Sequence, residues 1–248
     1  MSPQTPSTAL AADPRLRGAR TESEWDSRVA VWEEIADSAP FQRLAAVVFE
    51  QAAPTGEDRV IDLGAGTGLL TLAFAPHVEQ VLAVDASAGM LARLEEHARE
   101  RELTNVTPLL ADLRSLPLAD ETATLAVSNY AFHHLDHQSK ELALGEARRV
   151  LAPGGRLVVC DMMFALSLAP RDRAIVGSKL RLLARRGPAG LLRIARNGWR
   201  LARGRWEQPA PPERWEQMLR QRHFEEIGLQ VLEHEAGIVV ARRPNREK

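Results

Sequence analysis

Two groups of residues in this chain of 248 could do chemistry. One is a set of glycines and carboxylates spaced for a nucleotide, and the other is a pair of histidines placed for proton transfer. Val60-Ile61-Asp62-Leu63-Gly64-Ala65-Gly66-Thr67-Gly68 is a short apolar run that ends in a glycine-rich turn and opens into a helical pattern. Glycine lets the backbone double back after a strand and approach a ligand with no Cβ in the way, while the next helix presents its first N–H groups. A dinucleotide fingerprint would read Gly-x-Gly-x-x-Gly; here the last glycine, Gly68, falls one place early and Leu69 takes the sixth position. Seventeen residues after Gly68, Val81-Leu82-Ala83-Val84-Asp85 is a second apolar run ending in a carboxylate. A doubly wound fold places an acid about there to accept from two ribose hydroxyls, although Asp85 could also serve as an ordinary helix cap. Asp62 reads as structural, bonding backbone N–H groups of the glycine turn. Farther on, Ser128-Asn129-Tyr130-Ala131-Phe132-His133-His134-Leu135 closes another apolar run. Imidazole titrates near neutrality, so His134 is the candidate general base, against a capping or structural role. Adjacent histidines also raise a metal, but no Cys or carboxylate stands at zinc-like spacing and none is expected.

The glycine turn in this Gly-x-Gly-x-Gly form resembles motif I of the class I S-adenosylmethionine (SAM)-dependent methyltransferases. Three further stretches follow in that family's order: the strand ending at Asp85, the strand and loop Val106-Thr107-Pro108-Leu109-Leu110-Ala111-Asp112-Leu113, and the run Arg148 to Val159 with its Pro153-Gly154-Gly155 turn. The resemblance covers about residues 40–162 and 212–242. It implies SAM as cofactor, with Gly64, Ala65, Gly66 and Gly68 lining the donor, Asp85 on the ribose, and Asp112 with Leu113 at the adenine. It also implies Asn129 at the methionine end, with Ala86 and Met90 packing on the adenine or ribose. Members that methylate base nitrogens or glutamine amides carry an Asn/Asp-Pro-Pro-aromatic loop, and Asn129-Tyr130-Ala131-Phe132 lacks its prolines. The histidine run is instead similar to the small-molecule branch, which includes ubiquinone- and menaquinone-biosynthesis-like enzymes. There the acceptor is a small, hydrophobic metabolite methylated on O, C or N, and Trp25, Tyr130 and His133 are the candidate substrate contacts. A SAM-binding protein with a non-methylating role, cyclisation or recruitment to a membrane or RNA, is the alternative.

These residues need rigid elements to hold them. Strand patterns near 59–63, 80–84, 106–110, 123–128 and 155–161 alternate with helical patterns near 67–75, 87–100 and 139–150, which predicts an α/β fold with a doubly wound, mostly parallel sheet. The resemblance makes it seven-stranded and Rossmann-like. Ligands then bind at the carboxyl ends of the strands. Helices are predicted over 22–37 and 41–53, with Trp25, Val29, Trp32 and Ile35 at helical spacing, and a helix over 212–226 precedes a hairpin of 229–234 and 237–241. The domain reading is a loose tail over 1–20, a helical cap over 21–56, a SAM-binding core over 57–162, a basic helical insert or lid over 163–211, and a closing helix and hairpin over 212–248.

Composition bounds the rest. A hydrophobic content of 45% suits one core with decorations. Single Cys160 excludes an internal disulfide framework and reads as a small buried hydrophobe. Residues 1–20 have neither a basic n-region nor an apolar h-region, and no apolar run has spanning length, so a cytoplasmic protein is expected. Charge is uneven: 171–205 carries eleven basic residues against Asp172 alone, a net +10 that leaves −11 for the rest of a chain totalling −1. Leucines interleave with those arginines in two helical patterns broken at Gly187-Pro188. That segment is expected to lid a lipophilic acceptor, with peripheral contact to an anionic membrane as a further role. Nucleic acid is not an expected partner, because aromatic stacking residues are scarce.

Overall fold

The computed structural model describes residues 28–165, 167–185, 187–202, 208–232 and 235–246; the tail over 1–20 and Trp25 lie outside them. Two helices come first, α1 (Val29–Ala36) and α2 (Ala39–Ala52). Then β1 (Arg59–Leu63), α3 (Leu69–Phe74), β2 (Gln80–Asp85), α4 (Ala88–Glu100), β3 (Val106–Leu110), β4 (Ala123–Asn129), α5 (His137–Val150) and β5 (Leu151–Met162) alternate. A basic pair, α6 (Pro170–Ala184) and α7 (Pro188–Ala202), precedes α8 (Pro212–Gln221) and the hairpin β6 (Glu225–Val231) and β7 (Ala236–Arg242).

The seven strands form one sheet in the order β3-β2-β1-β4-β5-β7-β6. All neighbours pair in parallel except β7, which runs antiparallel to β5 and β6, so the sheet is mixed. This is the mostly parallel sheet the alternation predicts, with the seven strands and Rossmann-like form the resemblance implies. Period-two side chains explain why both faces are covered. Leu125, Val127, Val158 and Cys160 join the cluster under α2 and α3, while Ala126, Leu157 and Val159 join the one under α5 and α8. Cys160 is fully buried there, and burial pushes its thiol up to about 12. The order in which strands are added reverses between β1 and β4, which are parallel: β2 and β3 lie to one side, β5 to the other. That switch point is where an open α/β sheet leaves a crevice.

Local chemistry moves some boundaries. The helix predicted from 67 starts only at Leu69, because Gly68 at φ 101° is outside helical space. The helix predicted over 212–226 ends at Gln221, where His223 turns left-handed at φ 56°, and the hairpin strand therefore begins at Glu225. The Pro153-Gly154-Gly155 turn lies inside β5 as a bulge: between the pairs Ala123↔Leu151 and Leu125↔Arg156, β5 advances five residues against two on β4. Two helix starts are capped by side chains, α4 by Ser87 accepting from Met90 N at 3.1 Å and α5 by Asp136 accepting from Ser139 N at 2.7 Å.

Candidate active site

Four strand ends converge at the switch point. The turn after β1 is held by backbone: Gly64 and Ala65 N both donate to Val84 O at 2.9 Å. Positive φ at Gly64 (83°), Gly66 (54°) and Gly68 (101°) favours glycine at each. Close approach excludes a side chain too, since a Cβ on Gly64 would stand 2.3 Å from Ala131 Cβ, and one on Gly66 would stand 2.7 Å from Trp32 Nε1. Asp85, at the end of β2, straps this turn to the next helix: Oδ2 accepts from Gly66 N at 2.8 Å and Oδ1 from Ser87 N at 2.9 Å. Ala86 beside it is exposed and Met90 is buried.

Asp62 does not bond the glycine turn. Its Oδ2 accepts instead from Thr71 N at 3.1 Å and Thr71 Oγ1 at 2.7 Å, fastening β1 to α3. Burial pushes this carboxyl up to about 7, against the pull of the Thr71 bonds, and the nearby Asp85 charge pushes it further in the same direction. On the neighbouring strand, Asn129 ends β4 with its amide nitrogen and oxygen both buried and without a hydrogen-bond partner. It lines a small cavity with Trp32, Asp62, Gly64, Ala65, Leu69 and Leu70. A buried amide with neither end met is costly unless a ligand completes it, and the glycine turn forms the same wall.

Asp112, beyond β3, is gripped by Arg114 through Nε at 2.8 Å and Nη2 at 2.5 Å, and accepts from Arg114 N at 2.8 Å. Arg114 is almost wholly buried, so its guanidinium fixes the orientation of that carboxylate. Leu113 packs toward the main core.

The acceptor side is built on β4 and β5. Tyr130 turns the chain out of β4 at φ 55°, its N–H donating to Cys160 O at 2.8 Å. The short turn Phe132–His134 follows. His133 is buried, and Asp161 at the end of β5 holds it twice: Oδ2 accepts from His133 N at 2.9 Å and Oδ1 meets Nδ1 at 2.6 Å. Asp161 Oδ1 also accepts from Met162 N at 2.6 Å. A carboxylate on Nδ1 places the proton there and leaves Nε2 as the basic nitrogen. The sequence reading gave the base to His134; the orienting carboxylate falls on His133, with the His134 ring centroid 3.8 Å from its own and the planes tilted by 53°. Tyr130, Met162, Phe164 and Ile175 form an apolar cluster beside this dyad. Arg171 on α6 donates through Nη1 to Met163 O at 2.8 Å, and its Nη2 is buried without a partner.

Two of these residues were missed. Trp32, on α1, lies over Gly66 and begins a ring series in which Trp32–Phe41 centroids are 5.6 Å apart, Phe41–Tyr130 4.9 Å and Tyr130–His133 5.6 Å. Asp161 had a sequence signal, a lone acid inside the otherwise apolar stretch Leu157 to Phe164. Among the described residues no group of three or more His, Cys, Asp or Glu could hold a metal ion, and no helix is long and apolar enough to cross a membrane.

Residues 60–155 match the family model described as a methyltransferase domain. The uncharacterised methyltransferase YcgJ of Bacillus subtilis is 36% identical over 105 residues, which are 42% of this chain and 41% of that protein. The demethylmenaquinone methyltransferase of a Mycobacterium species (strain KMS) is 37% identical over 105 residues, again 42% and 41% of the two chains. The chain thus spans about two fifths of the length of those relatives. Among solved structures, the [4+2]-cyclase SpnF superposes with a TM-score of 0.63 at 20% identity, over 83% of this chain and 81% of that one. YcgJ superposes with a TM-score of 0.59 at 19% identity, over 81% and 98%. Likeness at that identity is a likeness of fold.

Proposed function

From a chain whose residues 60–155 are a methyltransferase domain of the class I fold, we propose that the protein transfers a methyl group from SAM to a hydroxyl of a small, largely apolar metabolite. The observation that carries the donor half is Asn129, whose buried amide has no partner on the wall it shares with the glycine turn. An amide that both donates and accepts fits an amino-acid end bearing an ammonium and a carboxylate. Asp85 fits the ribose, because it stands at the end of β2 beside the glycine turn and an ionised carboxylate accepts from hydroxyls. Asp112 and Leu113 fit the adenine edge, and Trp32 closes the turn from above.

When bound, SAM supplies an electrophilic methyl carbon on a sulfonium sulfur. With the donor bound, His133 Nε2 would take the acceptor's hydroxyl proton, leaving an oxygen nucleophile for that carbon, and the C–S electron pair would go to sulfur. Asp161 holds the imidazole in the working tautomer and stabilises the imidazolium without taking the proton itself. Tyr130, Met162, Phe164 and Ile175 exclude water from the acceptor, and Arg171 Nη2 offers its hydrogens to an acceptor oxygen. Positioning does much of the remaining work.

Calorimetry with SAM and S-adenosylhomocysteine, followed by product analysis on a panel of lipophilic phenols and enols, tests both halves. Micromolar donor binding that Asp85→Ala weakens by roughly 2–3 kcal/mol supports the donor site. No donor binding by the wild-type protein overturns it. His133→Gln should bind S-adenosylhomocysteine as the wild type does and lose about 10²–10⁴-fold in kcat. Product formation without release of S-adenosylhomocysteine would replace transfer by a non-methylating reaction.

A further inference from the structure

Five of the eight exposed large apolar side chains among the described residues lie between 168 and 199: Leu168, Leu180, Leu191, Leu192 and Trp199. Three of them are on α7. At about 100° per residue, Leu191, Ala195, Trp199 and Leu192 fall within an arc of about 100°, and the bases at 193 and 196 fall in the adjoining arc. All four stripe residues are exposed, as are Arg193 and Arg196, whereas Gly190, about 100° round the helix from Leu191 and outside the stripe, is buried. Helix α7 rests on α6, and this apolar stripe faces away from the buried edge. Ordinary surface helices of a soluble core turn such a stripe inward.

We propose that α7 is a membrane-surface helix whose Leu191-Leu192-Ala195-Trp199 stripe enters the acyl boundary of an anionic bilayer while the flanking arginines meet lipid phosphates. Charge selects the occupant. The segment 171–205 carries a net +10 with Asp172 as its one acid, which suits a dense anionic surface rather than a neutral apolar groove. The apolar side chains also belong to more than one element, since Leu168 precedes α6 and Leu180 lies on it, and a deformable surface can take protrusions that a groove shaped for one helix cannot. Length fixes the orientation: fifteen residues make a helix of about 22 Å, short of the about 30 Å hydrocarbon layer, so α7 lies in the interface and does not cross it. Tryptophan and leucine on one face with arginine on the other is the composition such helices use. The inference is independent of the methyl-transfer chemistry and adds the place where a lipophilic acceptor would be met.

The test is co-sedimentation of the full chain with vesicles of phosphatidylcholine alone and of phosphatidylcholine with 30 mol% phosphatidylglycerol, in low and high salt. Partitioning at least tenfold stronger to the anionic vesicles, reduced by high salt, is expected. Leu191→Glu/Leu192→Glu should lose at least tenfold of that binding, and Arg193→Gln/Arg196→Gln should lose the preference for phosphatidylglycerol. Both variants should melt as the wild type does, which separates loss of binding from loss of fold. Absence of pelleting with anionic vesicles overturns the proposal, as does pelleting that the Leu191→Glu/Leu192→Glu variant retains. A wild-type dimer in solution that the same variant dissolves would also overturn it, assigning the stripe to a second copy.

Discussion

At the scale of single residues, the site works by giving similar groups different surroundings. Asp161 and Asp62 are both buried carboxyls, yet one faces an imidazole and the other two groups of Thr71. Asp161 is therefore suited to support a proton acceptor. Asp62 has its titration moved from the ordinary range near 4 to about 7 by burial. The sign of the consequence follows from proton counting. Between those two values the unfolded chain has released this proton and the folded chain retains it, so folding stability falls as pH rises from about 4 to about 7. The slope from this group is at most about 1.4 kcal/mol per pH unit. Asp62→Asn keeps an oxygen for Thr71 and removes the titration, so urea unfolding at pH 5 and pH 8 should show the wild type losing stability relative to the variant. Equal changes in both proteins would mean that Asp62 is ionised in the fold throughout.

Among elements, the informative contacts cross long stretches of chain. Trp215 of α8 is fully buried, with its ring 5.5 Å from Phe132 in the turn that carries His133, and its Nε1 has no partner. Trp215→Ala should cost about 3–5 kcal/mol in chemical denaturation by opening a cavity. Trp215→Phe should cost much less, because it keeps a ring and removes the orphaned donor; equal losses would show that the indole nitrogen matters. That turn also explains what the sequence could reveal. The glycine turn, Asp85 and the strand series were legible because period-two runs and turn chemistry are local properties of the chain. Boundaries at Leu69 and Gln221 were not, since single left-handed residues set them. The pairing of His133 with Asp161 joins residues 28 apart through the β4–β5 register, and Trp32 reaches Gly66 across a gap of 34 positions. Period and spacing do not encode such contacts, so the sequence singled out His134 and not the carboxylate-paired His133, and among the tryptophans it singled out Trp25, which lies outside the described residues.

For the whole molecule, burial divides the chain into a stiff sheet and two softer helical layers. The central strands β1, β4 and β5 are almost continuously buried, whereas α6 has only Asp172 and Ile175 buried among its described side chains, and α1 only Ala36. Regions with few buried apolar contacts open at lower free energy than the global unfolding, so hydrogen exchange should rank the central strands slowest and α1, α6 and α7 fastest. The two layers differ in what would quiet them. Helix α1 is fastened to α4 by Glu33, which meets Arg93 at 2.5 Å and His97 Nε2 at 3.3 Å, while His97 Nδ1 lies 3.0 Å from Thr67 O in the glycine turn. With an acceptor facing each ring nitrogen, His97 bridges α1 and the glycine turn. S-adenosylhomocysteine should therefore slow exchange in α1 and the 64–68 turn while leaving α7 unchanged, and anionic vesicles should do the reverse. A donor that slowed α7 as strongly as α1 would mean that the basic layer closes as part of the active site, and that its exposed stripe is a lid face and not a membrane face.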